Sequence, residues 1–466
     1  MYGVNFSVRF HTLTSQFLNR VQFQISINNK TRQLSSSLIS FQTGSCKAKG
    51  AKCYDVVVVG GGIIGTGTAL KLKQKLPQLS IAIVEKENCV AIHQSGRNSG
   101  VIHAGMYYKP GSLRAELCVK GMLEMYKYCE ANNIPHKRNG KIIVATTPQE
   151  VKWLEDLMNR GFKNCVPGLE MLDQGQIKDV EPHCVGLKAI YSPYTGIINF
   201  ADVCHHFAAK FKELKGHIYT NFRVVDLKPT PEGGGSTKQD CSNYPISVVG
   251  DKKVLHAGFV LSCAGLYADE IAKLTDKCVD QQIIPFRGTY YLLCEKKQHM
   301  VKGNIYPVPN PSLPFLGVHF TPKMDGSVWC GPTAALAFRK EGYKATDFDG
   351  KEFCDMVKFQ GLRSFVFKNF TSNVIEILKS TSKRAQLIEL RKYIPTINAS
   401  DLLPGPSGVQ AQAMDSCGQL VEDFAFISSN DRILHCLNCP SPAATASIAI
   451  SEYIANKVEC SLKQLH

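Results

Sequence analysis

"YDVVVVGGGIIGTGTALKLKQKLPQLSIAIVEKE", residues 54–87, opens on an apolar β-branched run, crosses three spaced glycines and closes on acids. Val56–Val59 has the continuous apolar character of a parallel strand buried on both faces. Gly60, Gly62 and Gly65 follow at G-x-G-x-x-G spacing. The first serves a tight turn, the second lets backbone amides approach a diphosphate, and the third lets a helix lie close on the strand. Residues 63–75 carry that helix, whose N-terminus favours an anion. A second apolar strand, Ile81–Val84, ends at Glu85, where a carboxylate meets an adenosine ribose. Strand, glycines, helix, strand and acid in this order point to a dinucleotide-binding unit, without choosing between NAD and FAD.

The unit starts late because the segment before it differs in kind. Residues 1–53 hold seven basic residues and no Asp or Glu, with Leu13, Phe17 and Val21 at helical spacing. A basic, acid-free leader without a continuous apolar core reads as a mitochondrial transit peptide, and the fold is expected from residue 54. The formal charge of +15 is therefore inflated; residues 54–466 carry 47 basic and 39 acidic side chains, a net +8. No basic run or basic–aromatic stripe suggests nucleic acid, and the surplus suits an anionic substrate, cofactor or lipid surface. No window is long and apolar enough for a spanning helix. The 18 cysteines are scattered, as expected of reduced, small apolar residues in a matrix protein. Cys436 and Cys439 form one Cys-x-x-Cys without a second pair or a suitably spaced His, so no metal site is expected.

The stretch HQSGRNSGVIHAGMYY (93–108) is small, polar and aperiodic, suited to wrapping a ribityl chain and diphosphate. It resembles the HQ-(S/T)-G-x-NSG-VIH-x-G-x-YY signature of the L-2-hydroxyglutarate dehydrogenases, FAD-dependent oxidoreductases akin to glycine oxidase and D-amino-acid oxidase. The resemblance extends through NGKIIVAT (139–146), IIPFRGTYYLL (283–293), the long stretch 303–343 and RILHCLNCPSPAATASIAIS (432–451). It implies an α/β fold, α+β overall, in which a Rossmann-like FAD-binding domain is interleaved with an antiparallel-sheet substrate domain. Residues 54–100, 196–279 and 396–466 would form the first and 101–195 and 280–395 the second, capping domain. A helix is expected at 201–215, a strand at 258–263, a mobile Pro/Gly/Ser-rich loop at 228–243 and a helix starting near Ala443.

The resemblance assigns FAD contacts to Gly60, Gly62, Ile64, Gly65, Glu85 and Lys86. It adds Ser95, Asn98, Ser99 and Gly100 in the polar loop, Val224, Ala264 and Gly265 in the returning segment, and Pro442 and Ala443 before the last helix. Oxidation of a 2-hydroxy acid needs a base for the hydroxyl proton and a cationic clamp for carboxylate. His103 is the first candidate base and His435 the second, ahead of His93 and of His319, which is expected to pack against a sheet. Arg287, Arg339, Tyr306 and Gln410 are the candidate substrate contacts, an arginine being the natural bidentate partner. Gln410 is a departure: the family form reads AGVRAQA and this chain SGVQAQA (407–413), so an amide stands where an arginine is expected.

The implied reaction is oxidation of L-2-hydroxyglutarate to 2-oxoglutarate by a mitochondrial, FAD-dependent enzyme. Electrons would pass to an acceptor other than NAD, the quinone pool through a carrier protein or the inner-membrane surface. A peripheral membrane contact is placed on the stretch 361–379. The competing readings are an FAD amino-acid oxidase that uses O2, and a flavin-binding redox scaffold without turnover.

Overall fold

The computed structural model describes residues 52–230, 243–311, 316–369 and 382–465. The basic leader, most of the loop expected at 228–243, and the second half of the stretch 361–379 lie outside the described residues.

Along the chain, β1 (Lys52–Val59) feeds α1 (Ile63–Lys75) and β2 (Ile81–Val84). There follow α2 (Leu113–Ala131), β3 (Lys141–Ala145), α3 (Phe200–Glu213), β4 (Val254–Ser262) and β5 (Gln282–Leu293). Last come β6 (Asn304–Pro307), β7 (His319–Pro322), β8 (Leu402–Met414), β9 (Ile433–Asn438) and α4 (Ser447–Gln464).

Among the described residues the first sheet has eight strands, with β1 parallel to β2 on one side and to β4 on the other. The C-terminal end of β4 runs parallel to β9, with Ser262 opposite His435. Residues Val56 to Val59 and Ile81 to Val84 are at most 5% exposed, which explains their unbroken apolar sequence. On one face, α1 packs against α3 and α4. The helix expected at 201–215 is Phe200–Glu213. The last helix begins at Ser447 rather than near Ala443, after a run of turns that contains Pro440 and Pro442.

The second sheet, of nine strands among the described residues, is mixed rather than wholly antiparallel, because β3 and β6 run parallel. Parallel neighbours need a long connection, and the chain from 145 to 304 supplies it by returning to the first sheet between the two. β8 pairs with β5 along most of its length, so Phe286 faces Gln410 and Arg287 faces Val409. Sequence reasoning grouped residues 396–466 with the first sheet, but β8 joins the second; its alternating Val409, Ala411 and Ala413 enter a core shared with Leu266 and Ala268. A small third sheet pairs Val101–Ile102 and His136–Lys137 with Gly196–Ile198. The described residues make one compact unit.

Candidate active site

A cavity of about 1130 Å³ runs between the two large sheets. One end is the β1–α1 turn. Gly60 has φ +111°, and a Cβ there would meet the Cys263 carbonyl. Gly65 lies directly against the Gly60 carbonyl, so only hydrogen fits between helix and turn. Gly62, the N-cap of α1, has no side chain to cap the helix. Ser95 supplies the acceptor instead, its Oγ taking the Ile63 amide at 2.9 Å. The Glu85 carboxylate accepts the Gly61 amide at 2.6 Å and the Glu87 amide at 2.9 Å, which ties the end of β2 to the glycine turn.

The loop from 93 to 105 is fastened at several points. Asn98 donates to the carbonyls of Gln94 and Ser95 and accepts the Gly100 amide. Lys323 donates to the Ser99 carbonyl at 2.7 Å, lies 4.0 Å over the Trp329 ring and has its pKa lowered by burial to about 8. Gln94 accepts the Ala411 amide at 2.9 Å, next to Gln410. Thr445 accepts the His103 amide and donates to Val101. Near the ribose acid, Lys86 bridges Glu87 and Glu341, and His93 contacts both acids and Tyr343. These two acids and His93 have metal-ligand geometry, but the Lys86 ammonium already pairs with both carboxylates.

The other end of the cavity is aromatic and polar, walled by His103, Tyr107, Tyr290, Tyr306 and His319. His103 is half-buried in the cavity wall, and its Nδ1 is a buried atom with no hydrogen-bond partner. Burial, then Lys141, then His319 push its pKa down to about 3, so it is a neutral imidazole at physiological pH. His319 stacks on Tyr306 at 3.8 Å, bonds the Gly317 carbonyl through Nδ1, and is pushed by burial to about 4. Arg287 also lines the cavity; one guanidinium nitrogen donates to the Lys344 carbonyl at 2.9 Å, and among the described residues it has no carboxylate partner.

Most of the residues expected from sequence converge here. Gly60, Gly62, Ile64, Glu85, Lys86, Ser95, Asn98, Ser99, Ala264, Gly265, His103, Arg287, Tyr306, Gln410, Pro442 and Ala443 all line the one cavity. Gly65 and Gly100 shape it from behind, Gly100 lying against the Ile198 carbonyl and the Lys323 ammonium. Three do not reach it. Val224 begins an outer strand of the first sheet. Arg339 is 41% exposed beside Glu341. His435 is buried within β9, bonded to Thr275 at 2.9 Å and facing away from the cavity. His319 was expected to pack against a sheet and does, yet it also forms cavity wall. Sequence reasoning missed Tyr107, Lys323 and Cys263, which Cys436 approaches at 3.7 Å.

The glycine turn, the Ser95-capped helix start, the acid at the end of β2 and the cavity between them fit a bound FAD. Its dinucleotide half would be held by the residues around Gly62, Glu85 and Gly265.

Comparison with known proteins agrees with that geometry. The family model described as FAD dependent oxidoreductase matches residues 55–457. A curated relative from Nematostella vectensis, "L-2-hydroxyglutarate dehydrogenase, mitochondrial", is 47% identical over 87% of this chain and 90% of its own length. The Homo sapiens protein of the same name is 46% identical over 89% of this chain and 91% of its own. Among solved structures, L-alpha-glycerophosphate oxidase from Mycoplasma pneumoniae with FAD bound aligns with a TM-score of 0.69 at 22% identity, over 88% of this chain and 95% of that one. Glycine oxidase from Bacillus cereus aligns with a TM-score of 0.64 at 16% identity, over 88% and 98%. At those identities the likeness is one of fold.

Proposed function

The chain belongs to the L-2-hydroxyglutarate dehydrogenase family of FAD-dependent oxidoreductases, and from that premise we propose that it oxidises L-2-hydroxyglutarate to 2-oxoglutarate in mitochondria. FAD, when bound, supplies the acceptor for the hydride that leaves C2. The observation that supports this reading is one cavity joining the dinucleotide turn at Gly60–Gly65 to a neutral His103 in its wall.

The substrate hydroxyl gives its proton to the imidazole of His103, which lines the cavity. In the bare cavity this imidazole is a weak base, because burial and nearby positive charge disfavour its protonated form. A substrate carboxylate offsets that field and raises the basicity of His103 when the base is needed. Arg287 and Gln410 lie on adjacent strands of the cavity wall and hold the carboxylates, Arg287 by charge and Gln410 by one amide bond. The tyrosine walls exclude water from the reacting carbon.

We assign the grip on the cofactor to the segments 54–100, 196–279 and 396–466 apart from β8, and the substrate cap to 101–195 and 280–395. The electrons leave for an acceptor other than NAD, the quinone pool or a carrier protein, at the matrix face of the inner membrane. Among the described residues no helix is long and apolar enough to cross a membrane. A peripheral contact through Phe367, 86% exposed, and Val357, 44% exposed, is consistent with this placement.

The test is anaerobic mixing of the FAD-loaded protein with L- and D-2-hydroxyglutarate, L-malate, glycerol-3-phosphate and glycine in turn. Bleaching of the oxidised flavin by the L-hydroxyglutarate alone is the expected outcome. Bleaching by an amino acid, with hydrogen peroxide formed in air, would replace this reading with an oxidase. No bleaching by any donor would favour a scaffold without turnover.

A further inference from the structure

The polar end of the cavity is built against a buried lysine that no acid among the described residues pairs with. Lys141, the first residue of β3, is 1% exposed, and its Nζ has no hydrogen-bond partner. Among the described residues it has no ion-pair partner either. The rings of Tyr107 and Tyr306 stand against the ammonium, their centroids 4.6 and 4.9 Å from Nζ. Both tyrosines line the cavity, as do His103 and His319, whereas Lys141 lies behind that wall.

The groups around it bring no negative charge. His103 and His319 are neutral at physiological pH. Burial raises the ionisation of Tyr107, Tyr108 and Tyr306 out of the physiological range, and that of the Cys118 thiol on α2 to about 12. The strand neighbours of Lys141 are the uncharged Ser192 and Asn304. Glu181, a buried acid nearby in the same sheet region, commits its oxygens to the amides of Lys302 and Gly303. An ammonium enclosed without an acceptor is costly, and two cation–π contacts offset only part of that cost. The charged form needs a counter-ion that the described residues do not supply, and the cavity is the space beside it.

We propose that Lys141 is a positioning residue for the substrate: its ammonium, held behind Tyr107 and Tyr306, supplies the counter-charge that draws a carboxylate of a small dicarboxylate to the His103 end of the cavity. This rests on the substrate reading above, and it answers the question left by Gln410, which offers an amide and no charge. Acting through the two rings rather than by direct contact, Lys141 sets affinity while leaving His103 free to take the proton.

A proton linkage follows. Burial lowers the pKa of Lys141 to about 7. A carboxylate favours the charged form, so its binding raises that pKa and takes up a proton from about pH 7 upward. Affinity accordingly falls as pH rises through this range.

The experiment uses the FAD-loaded full-length protein and glutarate, a dicarboxylate with no hydroxyl to oxidise, followed by its perturbation of the flavin absorbance. The wild type is expected to bind glutarate roughly 30- to 100-fold more tightly than Lys141→Met at about pH 6.5. The difference shrinks toward about pH 9, while the variant shows no inflection of its own. Equal affinities with the same pH profile would overturn the proposal, as would a wild type that does not bind glutarate. Should Lys141→Met fail to retain FAD, proton uptake by the wild type decides, read with an indicator dye. Uptake approaching one proton per glutarate at about pH 8 is expected, and none anywhere from about pH 6.5 to 9 overturns the proposal. Glutarate is not turned over, so this result is independent of whether L-2-hydroxyglutarate bleaches the flavin.

Discussion

At Gly65 a single methyl group decides whether the cofactor site exists. An alanine Cβ would fall on the Gly60 carbonyl, which is backbone and has nowhere to go. Gly65→Ala is therefore expected to leave purified protein with little flavin, measured as the ratio of flavin to protein absorbance; a full complement would refute the packing argument. His103→Gln should retain flavin and lose about 10²- to 10⁴-fold in the rate of anaerobic reduction. Restoring an arginine by Gln410→Arg should tighten the substrate KM, and an unchanged KM would place position 410 outside the carboxylate clamp. The glycines and Glu85 were legible because their roles depend on a few neighbouring residues. Lys141 was not, because its meaning comes from Tyr107, Tyr306 and His319, which only the fold brings around it. In sequence it is an ordinary lysine at the start of a strand. His435 misled for the opposite reason: β9 is buried on both faces, and the alternation of a strand turns that histidine away from a cavity its neighbour Cys436 lines.

Local sequence alone would make α1 a poor helix. IIGTGTALKLKQK carries two glycines, two threonines and no capping side chain of its own. It is held by α3 and α4 packed along it and by the Ser95 hydroxyl at its first turn. Ser95→Ala leaves the buried Ile63 amide without an acceptor and should destabilise the protein by about 1–2 kcal/mol. FAD affinity should fall with it, visible as a lowered melting temperature and a raised FAD Kd; no change in either would mean water replaces the hydroxyl. Elements whose periodicity is local, such as α1 and β2, were placed from sequence to the residue. The start of α4 was not, since Pro440 and Pro442 favour a helix start in the abstract, yet here the chain completes turns around Thr445 first. Nor could the parallel pairing of β3 with β6 be read, because it depends on a detour through the other sheet.

Across the whole molecule, buried bases make the fold sensitive to acid. His103, His319 and His435 have folded pKa values of about 3, 4 and 4, against about 6.5 in an unfolded chain. The unfolded state thus binds protons that the folded state refuses, and stability is lost as pH falls below about 6.5. At pH 5 the loss is about 2 kcal/mol per histidine, and for the three together it is comparable with the whole stability of a typical domain. The melting temperature should therefore drop steeply between about pH 7 and pH 5, and a flat profile would contradict the burial of these rings.

The order of strands has a further consequence for how the protein comes into being. β1 emerges first from the ribosome, yet its neighbour β4 ends at Ser262 and the helix that covers α1 begins at Ser447. β2 is at hand almost at once, but the other flank of β1 waits for β4 until past the middle of synthesis, and one side of α1 waits for α4 until its end. Such distant pairing slows folding and leaves sticky surface uncovered meanwhile. A nascent chain of this design keeps part of its first unit uncovered until the end, and loss of only the final helix would leave one side of α1 bare.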